Sequence, residues 1–230
     1  QHQYHQNNMG SFVGPNIVED GLVFAVDAGS DRSYPGSGTT TTNIINGANG
    51  TLTNGVAYVS NNGGAFDFDG TDDFILFPDD TNLNNQTLTM ESWVNMDSSL
   101  AQDAFFFEKG LVNTQYSIFA NSSNIIFRTI GLSTQDLTVS MTPYTSANTW
   151  FHVICTYGAG VKKTYINGAF VTEMTGLTGT IPANTNGPRI GAHSSGYYLN
   201  GEIAVSRVYN KALTSAEALQ NYNAQKTRFI

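Results

Sequence analysis

The sequence predicts an all-β protein: two antiparallel sheets packed as a sandwich, with one short C-terminal helix. Three observations carry that prediction. From Gly21 onward short apolar runs recur at regular spacing, each ended by Gly- or Asn-rich turn residues. A capped helical pattern occurs only near the C-terminus. Finally, 14 Phe, 11 Tyr and 2 Trp in 230 residues suffice for one sizeable core without cross-links.

The elements follow in order. Leu22 to Val26 is an apolar first strand ending at Asp27-Ala28-Gly29. Ser30 to Thr53 is rich in Gly, Ser, Thr and Asn and reads as too polar for core. Val56–Val59 and Ala65–Phe68 flank the turn Asn61-Asn62-Gly63-Gly64, and Phe74–Phe77 is stopped by Pro78. In Thr87–Met96, Leu88, Met90, Ser92, Val94 and Met96 share one face, and Glu91 and Trp93 take the other. Further strands are expected at 104–108, 116–120, 125–130, 137–141, 150–157 and 163–166. Asn167-Gly168 is a strong hairpin signal into Ala169–Met174, and 189–192 and 201–209 complete the sheets. Thr214 with Glu217 forms a capping box, with Leu213 placed to staple on Ala218, and Leu219 and Tyr222 expected as the apolar face. The helix is expected against a sheet edge.

Residues 1–20 are polar and read as an arm or linker; residues 21–230 read as one domain. Only 12% of residues are charged, and polarity comes from Asn, Thr, Ser, Gln and Gly, a composition suited to surfaces outside the cytoplasm or in assemblies. With 10 basic against 18 acidic residues the net charge is −8, which argues against nucleic acid as a partner and against anionic membranes. No apolar run is long enough to insert in a membrane. The single cysteine, Cys155, allows no internal disulfide and sits in an apolar strand, where it is expected to pack as a small hydrophobe.

Several motifs then recur in a recognisable order: Phe68-Asp69-Gly70-Thr71-Asp72-Asp73-Phe74-Ile75, Leu88-Thr89-Met90-Glu91-Ser92-Trp93-Val94, Trp150-Phe151-His152-Val153, Tyr165-Ile166-Asn167-Gly168, Ile190-Gly191 and Leu199 to Thr214. This series, over residues 21 to 224, resembles the laminin-G-like, concanavalin A-like lectin/glucanase superfamily. The resemblance implies a jelly roll, a frequent bound calcium, and recognition of glycans or proteins; some relatives hydrolyse β-glucans. The opening Gly21 to Gly38 resembles such domains in structural proteins of tailed bacteriophages.

Hydrolysis of a glycoside needs two positioned carboxylates. The Glu-x-Asp-x-x-Glu pattern of the glucanases is missing here, and Glu91 is the nearest single candidate, with Asn95 rather than an acid beyond Trp93 on its face. His152 and His193 lack the sequence context of a nucleophilic triad. No catalytic residue is therefore assigned, and the chain is read as non-enzymatic. Calcium is the one cofactor with a case: Asp69, Asp72 and Asp73 make a tight acidic turn, Asp27 ends the first strand, and Asp67 alternates with Asp69. The same turn also reads as Asp side chains bonding backbone amides. Tyr34, Tyr197, Tyr198 and His193 lie in polar loops and are candidate ligand contacts, or else inter-strand packing.

Two functions compete. One is a structural, decoration or adhesion protein on a virion surface, contacting other assembly subunits or further copies of itself. The other is an extracellular, calcium-dependent lectin module binding cell-surface glycans. The polar arm favours the first, because such an arm is usually ordered by a neighbour.

Overall fold

A strand turns successive side chains to opposite faces, and in the computed structural model one set from each strand meets its counterparts between two antiparallel sheets. The structure describes residues 16–97, 102–111, 114–142 and 148–230. In chain order the strands are β1 (Leu22–Asp27), β2 (Thr40–Thr42), β3 (Asn49–Thr53), β4 (Ala57–Val59), β5 (Ala65–Asp69), β6 (Phe74–Leu76), β7 (Leu88–Met96), β8 (Ala104–Lys109) and β9 (Tyr116–Ala120). They continue as β10 (Asn124–Thr129), β11 (Asp136–Ser140), β12 (Trp150–Gly158), β13 (Val161–Ile166), β14 (Ala169–Met174), β15 (Arg189–Ile190), β16 (Ala192–His193), β17 (Tyr197–Tyr198) and β18 (Asn200–Tyr209). A helix, α1 (Ser215–Gln225), follows.

The first sheet has the order β14-β13-β12-β7-β18-β5-β4, with β1 also paired to β18, and the second β11-β10-β9-β8-β15-β6-β3-β2. The jelly-roll sandwich with its C-terminal helix is thus the architecture the sequence predicts. Across the core, Phe24 of β1 meets Phe77 and Phe107 edge-on at 5.0 and 5.6 Å, and Phe106 of β8 meets Phe151 of β12 at 6.0 Å. Cys155 is buried in this core as expected, its thiol pushed up to about 12 by burial. The Asn167-Gly168 turn has positive φ at both residues, +51° and +76°, as its tight hairpin requires.

Four expectations change. The stretch from Ser30 to Thr53 is not excluded from the sandwich: it supplies β2 and β3, and Tyr34 and Leu52 enter the core. Its polar groups can be buried because they pair internally. Ser33 Oγ donates to the Thr42 carbonyl at 2.9 Å, Thr41 Oγ1 to the Ser33 carbonyl at 3.0 Å, and the Asn43 side-chain oxygen accepts the Ala25 amide at 3.0 Å. The strand expected over 189–192 breaks at Gly191, whose φ is +86° and whose added Cβ would lie 2.3 Å from the Phe68 ring. Tyr197-Tyr198, expected as loop, pairs with Ala192-His193 as a hairpin packed on β8.

The fourth change concerns the helix. Its capping box forms as predicted, yet it lies over the outer face of the first sheet instead of along an edge. Tyr222 stacks on Trp93 of β7 at 5.8 Å, and Phe229, beyond the helix, stacks on Trp93 at 4.3 Å. Leu219 is 46% exposed, and the buried helix residues are Ala218 and Asn221.

Asn221 is polar because of what lies beneath it. Glu91, 1% exposed in the middle of β7, accepts from His152 Nε2 (2.9 Å) and Arg207 Nη1 (2.8 Å) on one oxygen. Its other oxygen accepts from Asn221 Nδ2 at 2.8 Å. Tyr209 lies beside it, its hydroxyl 3.1 Å from the Val18 carbonyl, and the Val18 amide donates to the Asn221 side-chain oxygen at 2.8 Å. Of the expected arm, residues 1–15 lie outside the described residues, while Val18 is buried in this network.

Burial alone would raise the Glu91 pKa, but Arg207 and the hydrogen bonds from His152 and Asn221 hold it down to about 2. A carboxyl depressed below its usual 4.5 contributes stability above that pH, lost as pH falls toward 2. Glu91→Gln is therefore expected to cost about 3–5 kcal/mol in urea unfolding at neutral pH, because it leaves Arg207 buried without its counter-charge. The gap to the parent protein should narrow at pH 3 and below. An undiminished gap in acid would refute the charge argument.

Candidate functional site

The chain crosses from the first sheet to the second at the turn between β5 and β6, and there the acidic residues converge. Gly70 turns the backbone at φ +75°, packed so closely on Asn200 of β18 that an added Cβ would meet that side chain at 2.8 Å. The Thr71 amide donates to Asp69 Oδ1 (2.8 Å), the Asp69 amide to Asp73 Oδ2 (3.1 Å), and Asn54 Nδ2 to the Asp72 carbonyl (2.9 Å). The amide-bonding reading of this turn therefore holds for part of its oxygens.

It does not account for all of them. One carboxylate oxygen from each of Asp69, Asp72 and Asp73 lies within 4.8 Å of the other two. Asp73 is 3% exposed, and its Oδ1 is buried without a hydrogen-bond partner. Burial raises the Asp73 pKa, and Asp69, Asp72 and Asp67 add to the rise against the Asp69 amide that lowers it. Asp67, opposite Glu202 in the sheet, is raised by burial and then by Glu202, Asp97 and Asp69. Repelling carboxylates with an unpaired inner oxygen fit a hard divalent cation, and Asp69, Asp72 and Asp73 can hold one.

Asp27 does not join them. Both of its oxygens accept from Arg228 Nη1, at 2.9 and 3.0 Å, and Gln225 and the Gly29 amide add further bonds. It fastens the C-terminus to β1. Tyr34 is likewise corrected as a ligand contact: it is 4% exposed, its ring packs on Tyr58 and Phe66 near 5 Å, and its hydroxyl donates to the Gly38 carbonyl at 2.8 Å.

Tyr198 is tied to the acidic turn, and Tyr197 precedes it on the same short strand. Gln102 makes the link, donating from one side-chain nitrogen to the Gly70 carbonyl (3.1 Å) and the Tyr198 carbonyl (3.2 Å). Tyr197 is 43% exposed, with its ring edge-on to His193 at 5.8 Å. His193 is itself 6% exposed, so its ring offers little surface to a ligand. Its Nδ1 lies 2.6 Å from Ser195 Oγ, and its Nε2 lies 3.1 Å from Glu108 Oε1. Glu108 is 3% exposed and burial pushes its pKa up to about 7. Sequence reasoning missed Glu108, Ser195, Gln102 and Asn200. Glu108 stands 85 residues before His193, and no spacing in the chain joins them.

Glu91 lies buried beneath the helix, and its partners are Arg207, His152, Asn221 and Tyr209 instead of a second carboxylate. His152 is its hydrogen-bond partner and stacks on Trp93 at 4.8 Å. A groove of about 600 Å³ lies elsewhere, between β1, the 30–45 stretch and the end of α1, lined by Leu22, Asp27, Arg32, Ile45, Arg207 and Gln225. Two of its charged groups, Asp27 and Arg207, are already ion-paired. Among the described residues no helix is long and apolar enough to cross a membrane.

A two-sheet jelly roll with an oxygen-rich loop where the sheets join defines a concanavalin-like sandwich domain. A profile of the concanavalin A-like lectin/glucanases superfamily matches residues 69–218, and the chain belongs to that superfamily. No curated protein matches it in sequence. Among solved structures it is similar to domain 4 of AbnA, a GH43 extracellular arabinanase from Geobacillus stearothermophilus, in complex with arabinotriose. That match has 17% identity and a TM-score of 0.69, and covers 87% of this chain and 98% of that one. It is also similar to the botulinum neurotoxin serotype D binding domain (13% identity, TM-score 0.69, 90% of this chain and 51% of that one). A third is Trypanosoma rangeli sialidase in complex with sialic acid (14% identity, TM-score 0.66, 91% of this chain and 34% of that one). This chain thus spans about half of the toxin domain and about a third of the sialidase. At these identities the shared property is the fold.

Proposed function

We propose that this chain is a calcium-dependent glycan-recognition module that works outside the cell. Two observations carry the reading: one carboxylate oxygen from each of Asp69, Asp72 and Asp73 lies within 4.8 Å of the others, and Asp73 Oδ1 is buried without a partner. A carboxylate oxygen removed from water without a partner is costly, and a cation there would offset the cost. Oxygen-only donors suit calcium over softer metals. Calcium takes six to eight oxygens, so three aspartates would leave positions for carbonyls, water or sugar hydroxyls. Tyr197, exposed on the strand whose next residue is tied to the turn, would give a sugar ring an apolar face to rest on.

The superfamily includes lectins by description, and the arabinanase domain and the sialidase are described with bound carbohydrate. Shared fold supports the glycan reading as analogy only. The findings favour this reading over the structural or decoration subunit of a virion. We propose binding instead of glycoside cleavage, because Glu91 sits beneath a helix, ion-paired to Arg207 and hydrogen-bonded to His152.

Calcium titrated into metal-free protein should give a one-site isotherm and raise the melting temperature, with each kcal/mol of linkage worth roughly 2–4 °C in a chain of this size. Asp73→Asn should abolish both effects, and Asp27→Asn should leave the calcium affinity unchanged. Absence of calcium binding by the parent protein would remove the metal from the proposal.

On a broad glycan panel the protein should bind saturably with calcium and lose that binding in chelator, and Tyr197→Ala should weaken it. A blank panel from folded protein would return the weight to protein–protein contact.

A further inference from the structure

One chain of groups owes nothing to the acidic turn: Ser195, His193 and Glu108. Two donors of Ser195 converge on His193 Nδ1, the hydroxyl at 2.6 Å and the main-chain amide at 3.1 Å. A ring nitrogen that accepts is unprotonated, so the imidazole proton sits on Nε2 and points at Glu108 Oε1, 3.1 Å away. Glu108 is held in turn. Its Oε2 accepts the Ser194 amide at 2.8 Å, and Arg189 lies 4.0 Å from it. Phe105 packs on the imidazole at 4.5 Å and fixes its plane. The acid and the base are buried, whereas Ser195 and its neighbour Gly196 are exposed.

These are the relations that activate a hydroxyl: a nucleophile within reach of a base whose far nitrogen is oriented by a carboxylate. We propose that Ser195 is an activated nucleophile able to hydrolyse small activated carboxylic esters, with His193 as its general base and Glu108 as the positioning residue. The inference goes beyond glycan recognition and is independent of it. In the first step Ser195 Oγ bonds to the ester carbonyl carbon while its proton passes to His193 Nδ1. The tetrahedral adduct expels the alcohol, which takes that proton. Water then attacks the acyl-serine with His193 again as base, releasing the carboxylic acid and restoring the hydroxyl. The ring nitrogens serve in the reverse order from the familiar protease arrangement, but the step needs only one bare nitrogen at the hydroxyl and one held N–H behind it. Because the serine stands on an exposed hairpin tip, the oxyanion forms in water, which confines the activity to esters with good leaving groups.

Charged groups around the imidazole set the pH dependence. Burial lowers the His193 pKa, helped by Arg128 and Arg189 and opposed by Asp103. Glu108 holds its proton up to about 7, and only its ionised form supplies the negative charge that stabilises the imidazolium formed when Ser195 gives up its proton. The rate should therefore rise with pH through about 7.

The test uses the full chain with p-nitrophenyl acetate for turnover and a fluorophosphonate for covalent labelling, mapped by peptide mass spectrometry. Labelling is expected at Ser195, with both signals lost in Ser195→Ala, an exposed and conservative change. His193→Gln should slow turnover by roughly 10²–10⁴-fold, and Glu108→Gln should slow it and remove the rise near pH 7. Unlabelled Ser195, or turnover at pH 8 equal to that of Ser195→Ala, would overturn the proposal and leave the chain of groups as a fastening for the hairpin.

Discussion

A carboxylate in the middle of a sheet, cut off from water, must find cations and donors on every side or stay neutral. Glu91 is such a group, and its partners come from β12, β18 and α1. Because Asn221 must reach Glu91 and also hold the Val18 amide, one ion pins the helix over the sheet and the start of the domain under the helix. Along β7 the outer face of the first sheet is consequently as dry as the inner one: eight of its nine residues are buried. Trp93, His152, Tyr222 and Phe229 stack around the same point, so the C-terminal segment acts as a third layer of the domain.

The second sheet uses a related device at its own margin. Lys109, on β8 and fully buried, spends its ammonium protons on Asp79 at 2.8 Å, Asn184 at 3.1 Å and the Asn186 carbonyl at 2.5 Å. The side chain thereby ties the long 175–188 connection to the sandwich. An internal cation fits this oxygen cage, whereas at the β5–β6 turn three aspartates face one another with no side-chain cation among their bonds. In both places the loops, held by a rigid sandwich, carry the chemistry, as loops commonly do.

How much of this was legible depends on the range of the interaction concerned. Strand positions, the Asn167-Gly168 turn and the Thr214–Glu217 capping box are local: they follow from the period of side-chain direction and from backbone preferences, and a single chain displays them. The acidic turn was also legible, since Asp69, Asp72 and Asp73 are neighbours in sequence. Ser30 to Thr53 was misread because composition counts Ser, Thr and Asn as polar without knowing that Ser33, Thr41 and Asn43 pair with backbone inside the fold. Asp27 and Tyr34 were misplaced for the same reason: Arg228 and Phe66, their partners, are distant or equivocal in the chain.

The sequence alone determined the all-β class, the order of most strands, the helix start and the acidic turn from Asp69 to Asp73, because each rests on contacts between near neighbours. Only the tertiary structure decided that Glu91 anchors the helix to the sheet, that Asp73 keeps one oxygen unpaired, and that Glu108 stands behind His193 and Ser195. Those outcomes turn on desolvation and on pairs separated by tens of residues. Both are properties of the closed sandwich, which brings together charges that the linear chain leaves apart.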